Sequence, residues 1–344
     1  MKKLITVLLI IPGLVLAIII VTSCTKEGPA GPAGEDGIDG NDGTATCKQC
    51  HNSGESFLAK VIQWEASTHA SGGNFERNSV ECAICHTSMG FKEWIVSDAD
   101  TTLQPVSNPT PINCYTCHKV HETYTAEDWE LVYSDPVSFL FDGTSSTDQG
   151  VANLCSKCHQ SRKANPMPVP DGDEDVTITS PYWGPHHGPQ ANMYVGMGGY
   201  EVGDGYENSF HTDNIEKSCK SCHMASAYGV QAGGHQMGMT YAYHGHDVVN
   251  KAGCIDCHSD PDNLDTKIEE TALELEDLLA DLLVLLIDQG IYSETTSKII
   301  PGTYTNDQAG AYFNYKFVEE DRSNGSHNYK YAKKLLENSI DAIQ

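Results

Sequence analysis

The chain has 344 residues, 39% of them hydrophobic, and carries a formal charge of −26, with 47 acidic against 21 basic side chains. So acidic a body repels nucleic acid and anionic lipid headgroups, which excludes both as partners and leaves plain solubility or steering toward a basic or cationic surface. The length suffices for two ordinary domains, yet a low apolar fraction and 31 glycines are poor material for two side-chain cores.

Residues 1–23 open with Lys2 and Lys3 and continue as an apolar run from Leu4 to Val21, the pattern of an export signal and not of a folded element. The run ends in Val21, Thr22, Ser23 and Cys24, which resembles the lipobox of bacterial lipoproteins, where the signal is cut before the cysteine and the thiol is acylated. An uncleaved anchor is the alternative, since about 18 apolar residues just span a bilayer. Either way the body is tethered to a membrane, and the lipoprotein reading accounts for Cys24. From Gly28 to Gly43 every third residue is glycine, the spacing of collagen. Residues 24–45 are therefore expected to be an acylated cysteine followed by an acidic spacer with a reach of at most about 50 Å at roughly 3.1 Å per residue. Trimerisation is the competing reading of that run.

The remaining twelve of thirteen cysteines fall in six copies of CxxCH. The first is Cys47, Cys50 and His51; the second Cys82, Cys85 and His86; the third Cys114, Cys117 and His118. The fourth is Cys155, Cys158 and His159; the fifth Cys219, Cys222 and His223; the sixth Cys254, Cys257 and His258. A lone CxxC is often half a zinc site or a redox dithiol, but here each copy is followed at once by histidine. Two thiols three positions apart can each add across a vinyl group of haem while the next imidazole reaches the iron from the same side. The motif predicts six covalently attached haem c groups, each taking one axial ligand from its own clamp. Zinc ribbons and disulfide frameworks are the competing readings. Six buried macrocycles would supply the apolar surface that side chains lack. Residues 46–260 are therefore expected to form one haem-cored body, mainly α with extensive irregular loops and little or no sheet. The widest gap between clamps, residues 160–218, is rich in Gly, Pro, Asp and Tyr and is expected to hold the longest loops.

Beyond the last clamp the composition changes. Thr266 with Glu269 reads as a capping box, and Ile268, Ala272, Leu275, Leu279, Leu282 and Leu286 recur at helical spacing opposite Glu270, Glu274, Asp277 and Asp281. With Gly290 closing the pattern, this predicts a helix of about 23 residues, about 35 Å long. A shorter helix through Tyr312, Phe313 and Phe317 and a final stripe of Ala332, Leu335, Leu336, Ser339 and Ile340 complete a helical region, 261–344, expected to pack on the haem body.

Each clamp serves one face of its haem, so the opposite face needs another donor. Nine histidines remain: His69, His121, His186, His187, His211, His235, His244, His246 and His327. His121 follows His118 by three residues and on a helix would share its face, so the two cannot hold one iron from opposite sides. It is expected on a neighbouring haem, with a propionate contact as the alternative. Of the adjacent His186 and His187 at most one can reach a given iron, and His244 with His246 poses the same choice.

The segments 64–69 (WEASTH), 186–190 (HHGPQ), 209–211 (SFH), 233–235 (GGH) and 321–327 (DRSNGSH), together with the clamps, resemble those of bacterial multihaem c-type cytochromes. The grouping they resemble contains cytochrome c-554, ammonia-forming nitrite reductase and hydroxylamine oxidoreductase, and the resemblance covers residues 46–344. It implies closely packed haem pairs and carries His69, His187, His211, His235 and His327 into the distal role, to which geometry adds His121. Nitrite reductase of that grouping has a CxxCK clamp at its catalytic haem, and no clamp here ends in lysine.

Two functions follow from this reading. The first is electron transfer through saturated bis-histidine haems, from a respiratory donor to a periplasmic or extracellular acceptor, at low potentials because no methionine ligand raises them. Its partners would be redox proteins or a basic, metal or mineral acceptor, and its place the outer membrane, held by the lipid on Cys24. The second is reduction or oxidation of small nitrogen or sulfur compounds such as nitrite, hydroxylamine or tetrathionate. That requires one open iron flanked by proton donors such as His186, His244, His246, Tyr241 or Tyr243. No catalytic residue is assigned. Intact mass of protein matured with the attachment machinery is expected to exceed the apoprotein by six haem masses; five at full occupancy would make one clamp something else. Cys24→Ala is expected to release soluble, fully haem-loaded protein, and retention after a high-salt wash would reveal a different anchor.

Overall fold

The computed structural model describes residues 55–344 except 98, 216 and 217. The export signal, Cys24 and the glycine-repeat spacer lie outside the described residues. So does the whole first clamp: Cys47, Cys50 and His51, expected to hold a haem and its proximal ligand, are not among the residues described. From residue 55 to 260 the helices are short: α1 Glu55–Glu65, α2 Thr68–Ser71, α3 Ala83–His86, α4 Ser88–Ser97, α5 Cys114–Cys117, α6 Asn153–Cys158, α7 Gln190–Val195, α8 Phe210–Asn214 and α9 Cys219–His223. None of those that carry clamps exceeds six residues. Helices of one or two turns are marginal on their own, so they depend on what they pack against.

The chain is mainly helical, as its pattern predicts. Among the described residues the strands form four small antiparallel ladders: β1 Val137–Ser138 with β2 Ser146–Thr147, β3 Val176–Ile178 with β8 Gly302–Tyr304, β4 Thr240–Tyr243 with β5 His246–Val249, and β6 Tyr292–Ser293 with β7 Lys298–Ile299. The β4–β5 hairpin turns through His244 and Gly245, both at positive φ, the geometry that a two-residue turn between twisted strands requires.

Three long helices close the chain: α10 Pro261–Asp288, α11 Asn306–Asp321 and α12 Tyr329–Ile343. The first begins six residues earlier than a cap at Thr266 implies. Asp260 caps it by accepting from the Asn263 amide, and Pro261 occupies the first turn, where its missing N–H costs nothing. The Thr266 hydroxyl instead donates back to the Asp262 carbonyl. Gly290, at φ 69°, ends the pattern as expected. Helix α11 starts with a capping box between Thr305 and Gln308 and is buried nearly all round, so it is the central element of the three.

Leu275, Leu282 and Leu286 of α10, Tyr312, Phe313 and Phe317 of α11, and Ala332, Leu335 and Leu336 of α12 form one core with Ala164, Trp183, Met193 and Tyr200 from the widest gap. A second, much smaller cluster joins Ile84, Phe91 and Trp94. Side-chain core is therefore concentrated in the C-terminal half. Among the described residues no helix is long and apolar enough to cross a membrane.

The seam of the larger core is polar. Asn314, fully buried in α11, accepts from the Tyr200 amide and donates to the Tyr200 carbonyl, both at 2.7 Å, and donates to the Ser339 hydroxyl of α12 at 2.9 Å. Gly310, one turn earlier, leaves room for the Tyr200 ring, which a Cβ there would meet at 2.1 Å. Asn314→Ala is expected to destabilise by about 1–3 kcal/mol for each buried group left unpaired. Asn338→Ala, at a half-buried site bonded to the carbonyls of Val202 and Asp204, should cost less; denaturant unfolding of both variants checks the order.

Candidate haem centres

Four of the five described clamps lie on single helical turns. Helices α3, α5, α6 and α9 place the paired thiols one turn apart on the same side, with the histidine at or just past the end. Asn113 caps α5 by accepting from the Tyr115 amide, while Thr116 joins Ser88 of α4 at 2.8 Å, so the clamp is seated on α4. The last clamp is a tight turn in which the amides of Cys257 and His258 both donate to the Cys254 carbonyl.

The ten described clamp cysteines are free thiols. Burial, helped by Cys114, pushes Cys117 up to about 12; burial, with Cys219 and Cys117 nearby, does the same to Cys155. Both are therefore held as neutral thiols by their buried surroundings. Among the described residues no group of three or more His, Cys, Asp or Glu converges as a metal cluster would.

The histidines meet instead in twos. The imidazole of His159 faces His69 with ring centroids 6.1 Å apart, His86 faces His186 at 6.3 Å, His118 faces His235 at 6.3 Å, His258 faces His211 at 6.2 Å and His223 faces His327 at 6.2 Å. In every pair one ring belongs to a clamp and the other comes from a distant part of the chain. A metal bond to imidazole nitrogen of about 2.0–2.1 Å, with about 1.1 Å more to the ring centre, separates two trans imidazoles by about 6.2–6.4 Å. The gap is one iron wide, and a covalently clamped haem fits it.

Second contacts aim these rings. Nδ1 of His118 is 2.8 Å from the Trp129 carbonyl, that of His223 2.8 Å from the Met237 carbonyl, that of His211 3.0 Å from the Ser326 carbonyl and that of His159 3.2 Å from the Gln190 amide oxygen. Each acceptor keeps the proton on Nδ1 and leaves the Nε2 lone pair available to a metal. Burial, then the neighbouring His159, pulls His69 down to about 4. Burial, then Arg162, does the same to His186, and burial with His118 does so to His235. His86, His159 and His223 are lowered too, with burial leading. Neutral imidazole is the form that ligates. His327 is shifted upward: burial opposes this, but the Asp321 carboxylate outweighs it.

The structure places His69, His211, His235 and His327 opposite clamp imidazoles. At the adjacent pair it departs from the expectation: the ring facing His86 is His186, not His187. His186 takes a left-handed φ of 69° that turns it inward, while His187 points out and is held by Glu320 at 2.8 Å. The His121 ring stacks on Tyr124 and shares a hydrogen bond of 3.2 Å with the Tyr115 hydroxyl, while the partner facing His118 is His235. His244 and His246 are exposed on the β4–β5 hairpin. The parts played by Gln190, Glu320 and Asp321 had no periodicity to announce them; the acidic pair closing a helix just before the 327 histidine was the one available signal.

The clamps also neighbour one another. Cys85 lies beside Cys158, Cys155 lies near Cys219 and Cys117, and Cys222 lies near Cys254. Helix α3 packs on α6, and α9 packs against the residues just before α6 and just before the last clamp. The clamps of His86, His159, His223 and His258 thus follow one another in space, with that of His118 beside His159.

No family model and no curated protein matches the chain. Among solved structures, the crystal structure of the outer cell wall cytochrome OcwA is similar, with a TM-score of 0.52 and 20% identity over 83% of this chain and 50% of that one. The chain spans half the length of OcwA, and the two share a fold.

Proposed function

We propose that this chain is a multihaem c-type cytochrome that relays electrons through six bis-histidine haems and performs no substrate chemistry of its own. The observation that carries the reading is the set of five clamp imidazoles, each facing a second imidazole across a gap one iron wide. When bound, each haem supplies a one-electron iron couple whose potential is set by its ligands and surroundings. His69, His186, His211, His235 and His327 would each supply a second imidazole to the haem held by the facing clamp. Haems held in this way would leave small molecules no iron to bind, which favours transfer over catalysis. The remaining clamp, in which Cys47 and Cys50 would carry the haem and His51 its proximal bond, is assigned His121. Its sequence leads into α1, whose Phe57 ring lies 5.8 Å from that of Trp129, on the loop whose carbonyl orients His118 and beside which His121 sits.

The neighbouring clamps define a path. Electrons would pass between the centres of His86, His159, His223 and His258 in that order, with the His118 centre as a branch next to His159. The acidic surface suits a basic redox partner or a cationic or mineral acceptor. The export signal and the lipid on Cys24 would hold the body at the outer membrane, a setting in keeping with the outer cell wall for which OcwA is named.

His186→Ala in haem-loaded protein is expected to turn one low-spin iron high-spin and open it to carbon monoxide, whereas His187→Ala leaves every iron low-spin. The opposite outcome would restore His187 to the ligand set. The ring planes cross at 87° for His86 and His186 and at 84° for His211 and His258, but at 31° for His118 and His235. Electron paramagnetic resonance of the resting protein should therefore show both strongly anisotropic and ordinary rhombic low-spin signals. A resting high-spin iron that rapidly reduces nitrite or hydroxylamine would overturn the relay reading.

A further inference from the structure

Four of the oriented histidines lean on neutral acceptors: the carbonyls of Trp129, Met237 and Ser326 and the amide of Gln190. His327 leans on a carboxylate. Its Nδ1 lies 2.6 Å from Oδ1 of Asp321, shorter than any of the other four contacts. The Asp321 side chain is 4% exposed, and its Oδ2 accepts from the Ser323 hydroxyl, so the carboxylate is fixed in place. Among the described residues its ion-pair partner is His327 alone, since the adjacent Arg322 pairs with Glu320. Asp321 is also the last residue of α11, where the helix dipole adds negative potential and makes a carboxylate seek a proton donor.

A carboxylate that accepts the Nδ1 proton pushes electron density through the ring to Nε2 and makes the imidazole a stronger donor. A stronger axial donor favours ferric over ferrous iron. We propose that Asp321 tunes the centre between His223 and His327 and makes it the lowest-potential site of the relay, a positioning and tuning role that rests on the haem reading above. That centre is an interior step of the path, between those of His159 and His258. A low-potential step there would slow passage unless electrons enter from a strongly reducing donor, so the chain suits donors of low potential.

The test is Asp321→Asn in the full haem-loaded protein, compared with Glu320→Gln. The second variant removes a neighbouring buried charge that touches His187 and no facing imidazole. Asp321→Asn should leave haem mass and low spin unchanged. It should also ease reduction of the lowest-potential component by at least about tenfold in equilibrium constant, about 59 mV for one electron, and widen the g-value spread of one low-spin signal. Glu320→Gln should give a smaller shift and no change in g values. Equal shifts in the two variants, or none in Asp321→Asn, would overturn the proposal. Should Asp321→Asn not accumulate, the unaltered protein decides: its lowest-potential component must carry the narrowest g spread among signals of similar ring geometry, and a spread like the others defeats the assignment. Absence of bis-histidine low-spin signals from the unaltered protein would instead defeat the haem ligation beneath it.

Discussion

An iron held by two imidazoles needs them on opposite faces, and a clamp histidine cannot reach both. In the proposed haem centres this constraint would make each facing pair a cross-link between remote parts of the chain: 69 to 159, 86 to 186, 118 to 235, 211 to 258 and 223 to 327. Most of the connections between residues 55 and 260 are irregular, and the helices there are short. Loops of that length cost entropy to close, and the small cluster of Ile84, Phe91 and Trp94 offers little apolar burial to offset it. Ligation across the pairs, with the apolar faces of the macrocycles, is the compensating term in the proposed holo-protein. Folding of this half is then coupled to cofactor attachment, as in other proteins whose metal supplies what the core does not.

The C-terminal helices do the opposite kind of work. They bury a conventional core and present its edge to the ligands. At the end of α11, Asp321 holds His327, Glu320 holds His187 beside His186, and the backbone carbonyls of both accept from Gln190, whose amide oxygen meets His159. One helix terminus thus contacts His327 directly and reaches His159 through Gln190 and His186 through His187. A helix end is suited to this because its last carbonyls have no partner within the helix, so they are available to Gln190 while α11 is locked by packing on α10 and α12. Rigid placement would matter for the proposed relay, in which the protein contributes spacing and electrostatics while the cofactors carry the charge.

How far the amino-acid pattern could be read follows from how local each interaction is. The CxxCH motifs stand out in the sequence because the thioether attachment and first ligand they would serve need three residues within five positions. The amphipathic repeats of α10 and α12 are legible for the same reason, since a helix is a matter of near neighbours. Even there, the start of α10 went to Asp260 and Pro261, whose cap and fixed φ compete with the Thr266 pattern.

Pairing of the second ligands is not local. Read alone, the sequence contains an acidic composition, an apolar N-terminal run, six CxxCH motifs and nine further histidines. Tertiary structure alone decided which imidazole faces which: it put His186 inward through a left-handed backbone while Glu320 drew His187 out, and it carried His244 and His246 onto an exposed hairpin. The physical reason is that opposition across an iron depends on where two distant segments meet, and that meeting is set by the packing of everything between them.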